Sequence, residues 1–102
     1  MINFNEECYV LFLGKIVGKD AVKEKRILHL PIIKRYFDLI KAGEKKEEYR
    51  EIKSYWTKRF KDFLVQKPFD YICFRNGYGR KVPHLFVELV DINFGISKKE
   101  YI

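Results

Sequence analysis

Apolar side chains change their spacing several times along this chain, and the changes mark out its elements. Residues 8–13, CYVLFL, form a continuous apolar and aromatic run, the pattern of a buried strand. Residues 14–26, GKIVGKDAVKEKR, then turn polar around two glycines and read as a surface connector. ILHL at 27–30 is a second short strand, and Pro31 after it suits the first turn of a helix. In that helix Ile33, Tyr36, Phe37 and Ile40 recur at i, i+3, i+4 and i+7, one stripe, while Lys34, Arg35, Asp38 and Lys41 lie off it. Gly43 stands where a C-terminal glycine cap belongs.

After the cap, KKEEYR leads into a short polar strand. Ser54 is placed to cap a second helix in which Trp56, Phe60, Phe63 and Leu64 share a face, with Trp56 in the core and Pro68 as the stop. FDYICF at 69–74 and HLFVELVDINF at 84–94 are the remaining strong strands. Between them RNGYGRKVP, rich in Gly, Asn and Pro, reads as an exposed loop. Four or five short strands with two helices inserted among them predict an α+β fold, a small barrel with helices on one side. There is no repeat, and residues 1–102 are expected to form one domain.

Composition narrows the classes. At 47% hydrophobic and 17% aromatic the chain carries enough apolar surface to exclude whole-chain disorder. No apolar run approaches the roughly 18–20 residues that span a bilayer. The first residues, MINFNEECYVLFLGK, place acids where a secretory signal would be basic, so the expected address is the cytoplasm, with no membrane partner. Cys8 and Cys73 each sit in an apolar stretch and are expected as buried free thiols. His29 and His84 stand alone, without metal-ligand spacing, and are assigned structural roles; no metal or cofactor is expected.

Charge adds a partner class. Twenty-one Lys and Arg against fourteen Asp and Glu give +7, and residues 34–62, with ten basic and six acidic side chains, supply +4 of it. A balance of this kind suits a polyanion, nucleic acid first.

Gly43, Lys45, Glu48 and Arg50 spell G-x-K-x-x-E-x-R directly after the helix ending LIKAG. Together with LHLPIIKRYFDLIKAGEKKEEYREIKSYW and the later FDYICFRNGYG, this resembles the ASCH domain, a branch of the PUA-like superfamily, and most of all the small ASCH proteins of bacteria and phages. The similarity runs from about Ile27 to Phe94. The resemblance implies a mixed β-barrel of about five or six strands, with two helices flanking a cleft that binds RNA. Some ASCH proteins instead remove the acyl group from N4-acetylcytidine, using the motif lysine, a threonine and a distal glutamate; ribonuclease activity is ascribed to others. Lys45 matches that lysine, Glu48 stands in place of the threonine, and no residue matches the distal glutamate. ECYVLFLGKIV resembles the family's closing strand, moved to the front. The chain therefore reads as a circular permutant, with residues 1–26 a relocated closing strand plus connector and 27–94 the motif-bearing region.

Each candidate residue has its chemistry. Glu48 and Arg50, two apart on a strand, share a face, so the carboxylate orients the guanidinium toward a phosphate or base edge. Lys45 is out of step with them and joins the cleft only if the turn after Gly43 has not yet become strand; it is a ligand contact and the candidate catalyst. Tyr55 and Arg59, at i and i+4, form a stacking platform for an unpaired base. Arg75, Asn76 and Tyr78 stand in a loop after a strand, where ligand contacts concentrate. Glu88 shares a face with Phe86 and Val90 and is the stand-in if a second carboxylate is needed. Three functions follow: a module binding RNA or a nucleotide through a basic cleft, an amidohydrolase of N4-acylated cytidine or a related modified nucleoside, and a protein-interaction module of phage or mobile-element origin. A monomer is the working expectation.

Overall fold

The computed structural model describes residues 5–98 and 101. Five strands, β1 (Asn5–Val17), β2 (Ile27–Ile32), β3 (Glu47–Glu51), β4 (Tyr71–Asn76) and β5 (His84–Lys98), form one sheet in the order β2-β4-β5-β1-β3. Only β2 and β4 run parallel; the other ladders are antiparallel. Two helices, α1 (Lys34–Lys41) and α2 (Ser54–Phe60), complete a small α+β unit. Neither is long and apolar enough to cross a membrane.

Ladder register sets the core. Leu28, Ile72 and Val87 lie in one cross-strand row, and Leu30, Phe74 and Leu85 in the next. All six are buried on the face that also receives Phe37 and Ile40 of α1 and Phe60 of α2. The stripe on α1 therefore does what its spacing predicts at its centre. Its first member, Ile33, is instead the exposed N-cap. The helix stops at a full Schellman cap: Glu44 N–H bonds the Leu39 carbonyl at 2.9 Å and Gly43 N–H the Ile40 carbonyl at 3.0 Å, with Gly43 at φ +77°.

Several boundaries differ from the sequence expectations. β1 continues through Val17 with irregularities after Phe12 and Leu13, so residues 14–17 of the expected connector are bulged strand. Pro31 belongs to β2, not to the helix. Ser54 is the first helical residue and makes no cap; Lys53 holds that position without a side-chain bond. α2 ends at Phe60, which leaves Phe63 on the core through a turn and Leu64 exposed.

The sheet is not closed into a barrel. β2 and β3 are its edges, and Arg50 Nη2 spans the seam to the Pro31 carbonyl at 3.4 Å. In an extended strand a residue's N and C=O point to the same side. Pro31 therefore presents a carbonyl but no donor to the edge that faces β3, and the Arg50 guanidinium donates to that carbonyl.

β1 lies between β5 and β3, and Asn5 opposes Lys98, so the two ends of the described chain are neighbours. Residues 1–4, 99–100 and 102, which would carry the junction of a permuted chain, lie outside the described residues.

Candidate functional site

The core face of the sheet runs directly into charge at its β3 edge. Leu11 pairs with Glu48 and Tyr9 with Arg50, so both polar side chains share the face of Tyr9 and Leu11. Glu48 is consequently only 3% exposed. Its carboxylate lies 3.5 Å from Lys45 Nζ and 3.0 Å from Arg50 Nη2, and accepts the Tyr49 N–H at 3.1 Å. A buried carboxylate requires such partners, because desolvation without them costs several kcal/mol.

Lys45 reaches the cluster because it precedes the strand. Its backbone N–H still bonds Leu39 at the end of α1, at 3.1 Å, and β3 begins at Glu47. The ammonium donates to the Glu47 carbonyl and lies 5.2 Å and 4.9 Å from the ring centres of Tyr36 and Tyr49. Both contacts favour a cation. Tyr49 in turn donates to Glu47; burial first, then that hydrogen bond, pushes its phenol up to about 12.

On the other side Arg50 is held between the Pro31 carbonyl, Glu48 and the Trp56 ring, 5.3 Å away. Its Nε hydrogen is buried and has no partner among the described residues. A cavity of about 150 Å³ opens here, walled by Pro31, Ile33, Tyr36, Tyr49, Arg50 and Tyr101. The stacking platform expected on α2 continues the row: the Arg59 guanidinium lies 4.6 Å from the Tyr55 ring, and Tyr55 meets Trp56 edge-on at 4.8 Å. Arg59, Tyr55, Trp56 and Arg50 thus form a row from α2 to the cavity, two rings flanked by two guanidiniums. Trp56 is also packed against the core, as its place in the stripe predicts.

The loop after β4 is placed differently. Arg75 lies beside Pro31 in the β2–β4 ladder, yet its guanidinium donates to the carbonyls of Gly79 and Arg80 and so closes its own loop. Asn76 N–H bonds the Pro83 carbonyl, and Tyr78 is 88% exposed. None of the three contacts the Glu48 cluster. His29 and His84 are exposed.

Glu88 sits on the sheet's opposite face, half-buried, and accepts the Lys15 N–H at 2.8 Å. It lines a second, larger cavity of about 610 Å³ between β1 and the end of α1, whose wall also includes Lys15, Lys41, Lys45 and Lys46. Lys45 lines this cavity and contacts Tyr36, Glu48 and Tyr49 in the wall of the smaller one. Cys8 and Cys73 are free and buried, and burial pushes both thiols up.

Sequence reasoning did not assign Tyr36, Tyr49 or Tyr101 to the site, nor Lys15, Lys41 and Lys46. A hydroxyl-tipped ring at the margin of the α1 stripe was the one available signal for Tyr36. Comparison with protein-family models, with curated proteins and with solved structures returns no match.

Proposed function

We propose that this protein is a cytoplasmic ASCH-like module that binds unpaired RNA at the β3 edge of its sheet. One observation carries the reading: Glu48, buried, holds Lys45 and Arg50 in fixed positions beside three aromatic rings, and a buried Arg50 donor is left without a partner among the described residues. A guanidinium oriented in this way is ready for a phosphate oxygen or a base edge without losing side-chain freedom on binding. The 150 Å³ cavity is smaller than sites that take a whole ligand, so it suits a fragment, a phosphate or one base. Tyr55 and Arg59 give the next base a stacking surface. The net charge of +7 fits a polyanionic partner.

Two features support the finer PUA-like reading. Arg50 bridges the open seam that a barrel would close, and β1 pairs antiparallel with β5, the neighbour that a strand relocated from the chain's end would have. The decisive experiment measures binding of labelled single-stranded RNA across a salt series for wild type and Arg50→Ala. The expected result is a linear fall of log K with log salt. The variant should bind ten- to a hundredfold more weakly, the effect of losing one charge-assisted contact, with a slope smaller by about 0.7. Salt-insensitive or absent binding would overturn the reading and direct attention to a protein partner.

A second reading has its own observation. Lys45 and Glu88 line one cavity, which supplies the lysine and carboxylate of an amidohydrolase acting on N4-acylated cytidine. Release of cytidine from N4-acetylcytidine, lost in Lys45→Ala and in Glu88→Gln, would establish it. No turnover by the wild type would reject it.

A further inference from the structure

We infer that the cavity between β1 and the end of α1 binds a phosphate monoester, at a site separate from the Arg50 contact. Three distant segments meet there: Lys15 from β1, Lys41 from the last turn of α1, and Lys46 from the approach to β3. All three are exposed, and among the described residues none forms an ion pair. Three other surface lysines do find a carboxylate: Lys23 pairs with Asp20, Lys34 with Asp38 and Lys53 with Glu51. Like charges gathered around one concavity in excess of its carboxylate raise the local potential and draw in an anion.

The wall is shaped rather than merely charged. β1 departs from regular register between Leu13 and Ile16. At Gly14 a Cβ would lie 3.0 Å from Glu88 Cβ, Glu88 Oε1 and Val90 Cγ2, tighter than most real contacts, so any other residue would have to push Glu88 and Val90 aside where β1 runs this near them. Bulges of this kind re-aim side chains beside sites. Glu88 holds the bulge through the Lys15 N–H and is the only carboxylate in the wall among the described residues. Lys45 is already committed to Glu48, so the other three lysines against Glu88 leave +2. That complements the roughly −1.5 to −2 charge of a phosphate monoester near neutral pH. The floor is apolar, with Ile40 and Val87 buried, and suits the body of a nucleoside. About 610 Å³ also falls within the range of small-molecule sites, roughly 300–1,000 Å³.

The test titrates the full chain with CMP and with cytidine while backbone amide NMR spectra are recorded. CMP should move the amides of residues 13–16 and 41–46 saturably, and cytidine should not. Lys41→Ala/Lys46→Ala should weaken CMP about tenfold or more, and Glu88→Gln, which keeps an acceptor for Lys15 N–H, should tighten it. Lys58→Ala/Lys61→Ala removes the same charge elsewhere and should leave the affinity within about twofold of wild type. Shifts spread over every lysine, equal shifts with cytidine, or equal weakening in both double variants would overturn the site. Competition by a 5′-phosphorylated oligonucleotide, but not its 5′-hydroxyl form, would assign the phosphate to an RNA end; competition by neither would assign it to a free nucleotide. The site does not depend on RNA binding at Arg50, and either can fail alone.

Discussion

Replacing Glu48 by alanine should be among the most damaging single changes available in this chain. The carboxylate is 3% exposed, and its two cations are nearly as enclosed: the side chains of Lys45 and Arg50 are 12% and 20% exposed. Removing one member of a buried charge cluster typically costs about 3–5 kcal/mol, because the others stay buried without their counterion. Each cation here retains a second contact, the Glu47 carbonyl for Lys45 and the Pro31 carbonyl for Arg50. The expected loss is therefore at the lower end, about 3 kcal/mol. For a domain of this size that lowers Tm by roughly 12–24 °C. Glu48→Gln keeps an oxygen for the Tyr49 N–H and should lose less, about 1–2 kcal/mol. Urea unfolding followed by fluorescence reads the change well, since the single tryptophan, Trp56, lies against Arg50. A Glu48→Ala midpoint equivalent to less than about 0.5 kcal/mol from wild type would refute the view of Glu48 as the buried centre of the site.

Three further outcomes follow from the packing. Phe60→Ala should destabilise by about 3–5 kcal/mol in the same urea assay, because its ring is fully buried among Tyr9, Trp56 and Phe69. Tyr49 is raised to about 12 when folded against about 10 unfolded, so its contribution is whole below pH 10 and lost as pH rises through 12. Stability measured over that window should fall more steeply in wild type than in Tyr49→Phe. Cys8 and Cys73, buried and shifted upward, should react with a thiol reagent only at the rate of unfolding.

Local signals carried a large part of the fold. The α1 stripe and its stop at Gly43 were legible because a 3.6-residue period and a left-handed glycine are written into consecutive residues. Pro31 was misplaced for the same reason: next to a helix pattern it reads as a first turn, and only the pairing of β2 with β4 shows it to be a strand edge. Ser54 and Leu64 were misread because α2 is one turn shorter than its apolar spacing suggests, and a cap depends on the chain's entry angle. At the site, the shared face of Glu48 and Arg50 followed from strand alternation, and the Tyr55–Arg59 pair from helical spacing.

The sequence by itself thus determined the α+β class, the buried thiols, the polar strand β3 and the residue types gathered after Gly43, since each rests on neighbours a few positions apart. Tertiary structure alone decided that Glu48 is buried, because burial comes from its place opposite Leu11 on a strand remote in the chain. It also separated Arg75 from the cluster and brought Lys15, Lys41 and Lys46 around one cavity. Those outcomes depend on which strands pair and in which register, and a shift of a single residue would turn Glu48 and Arg50 to the other face.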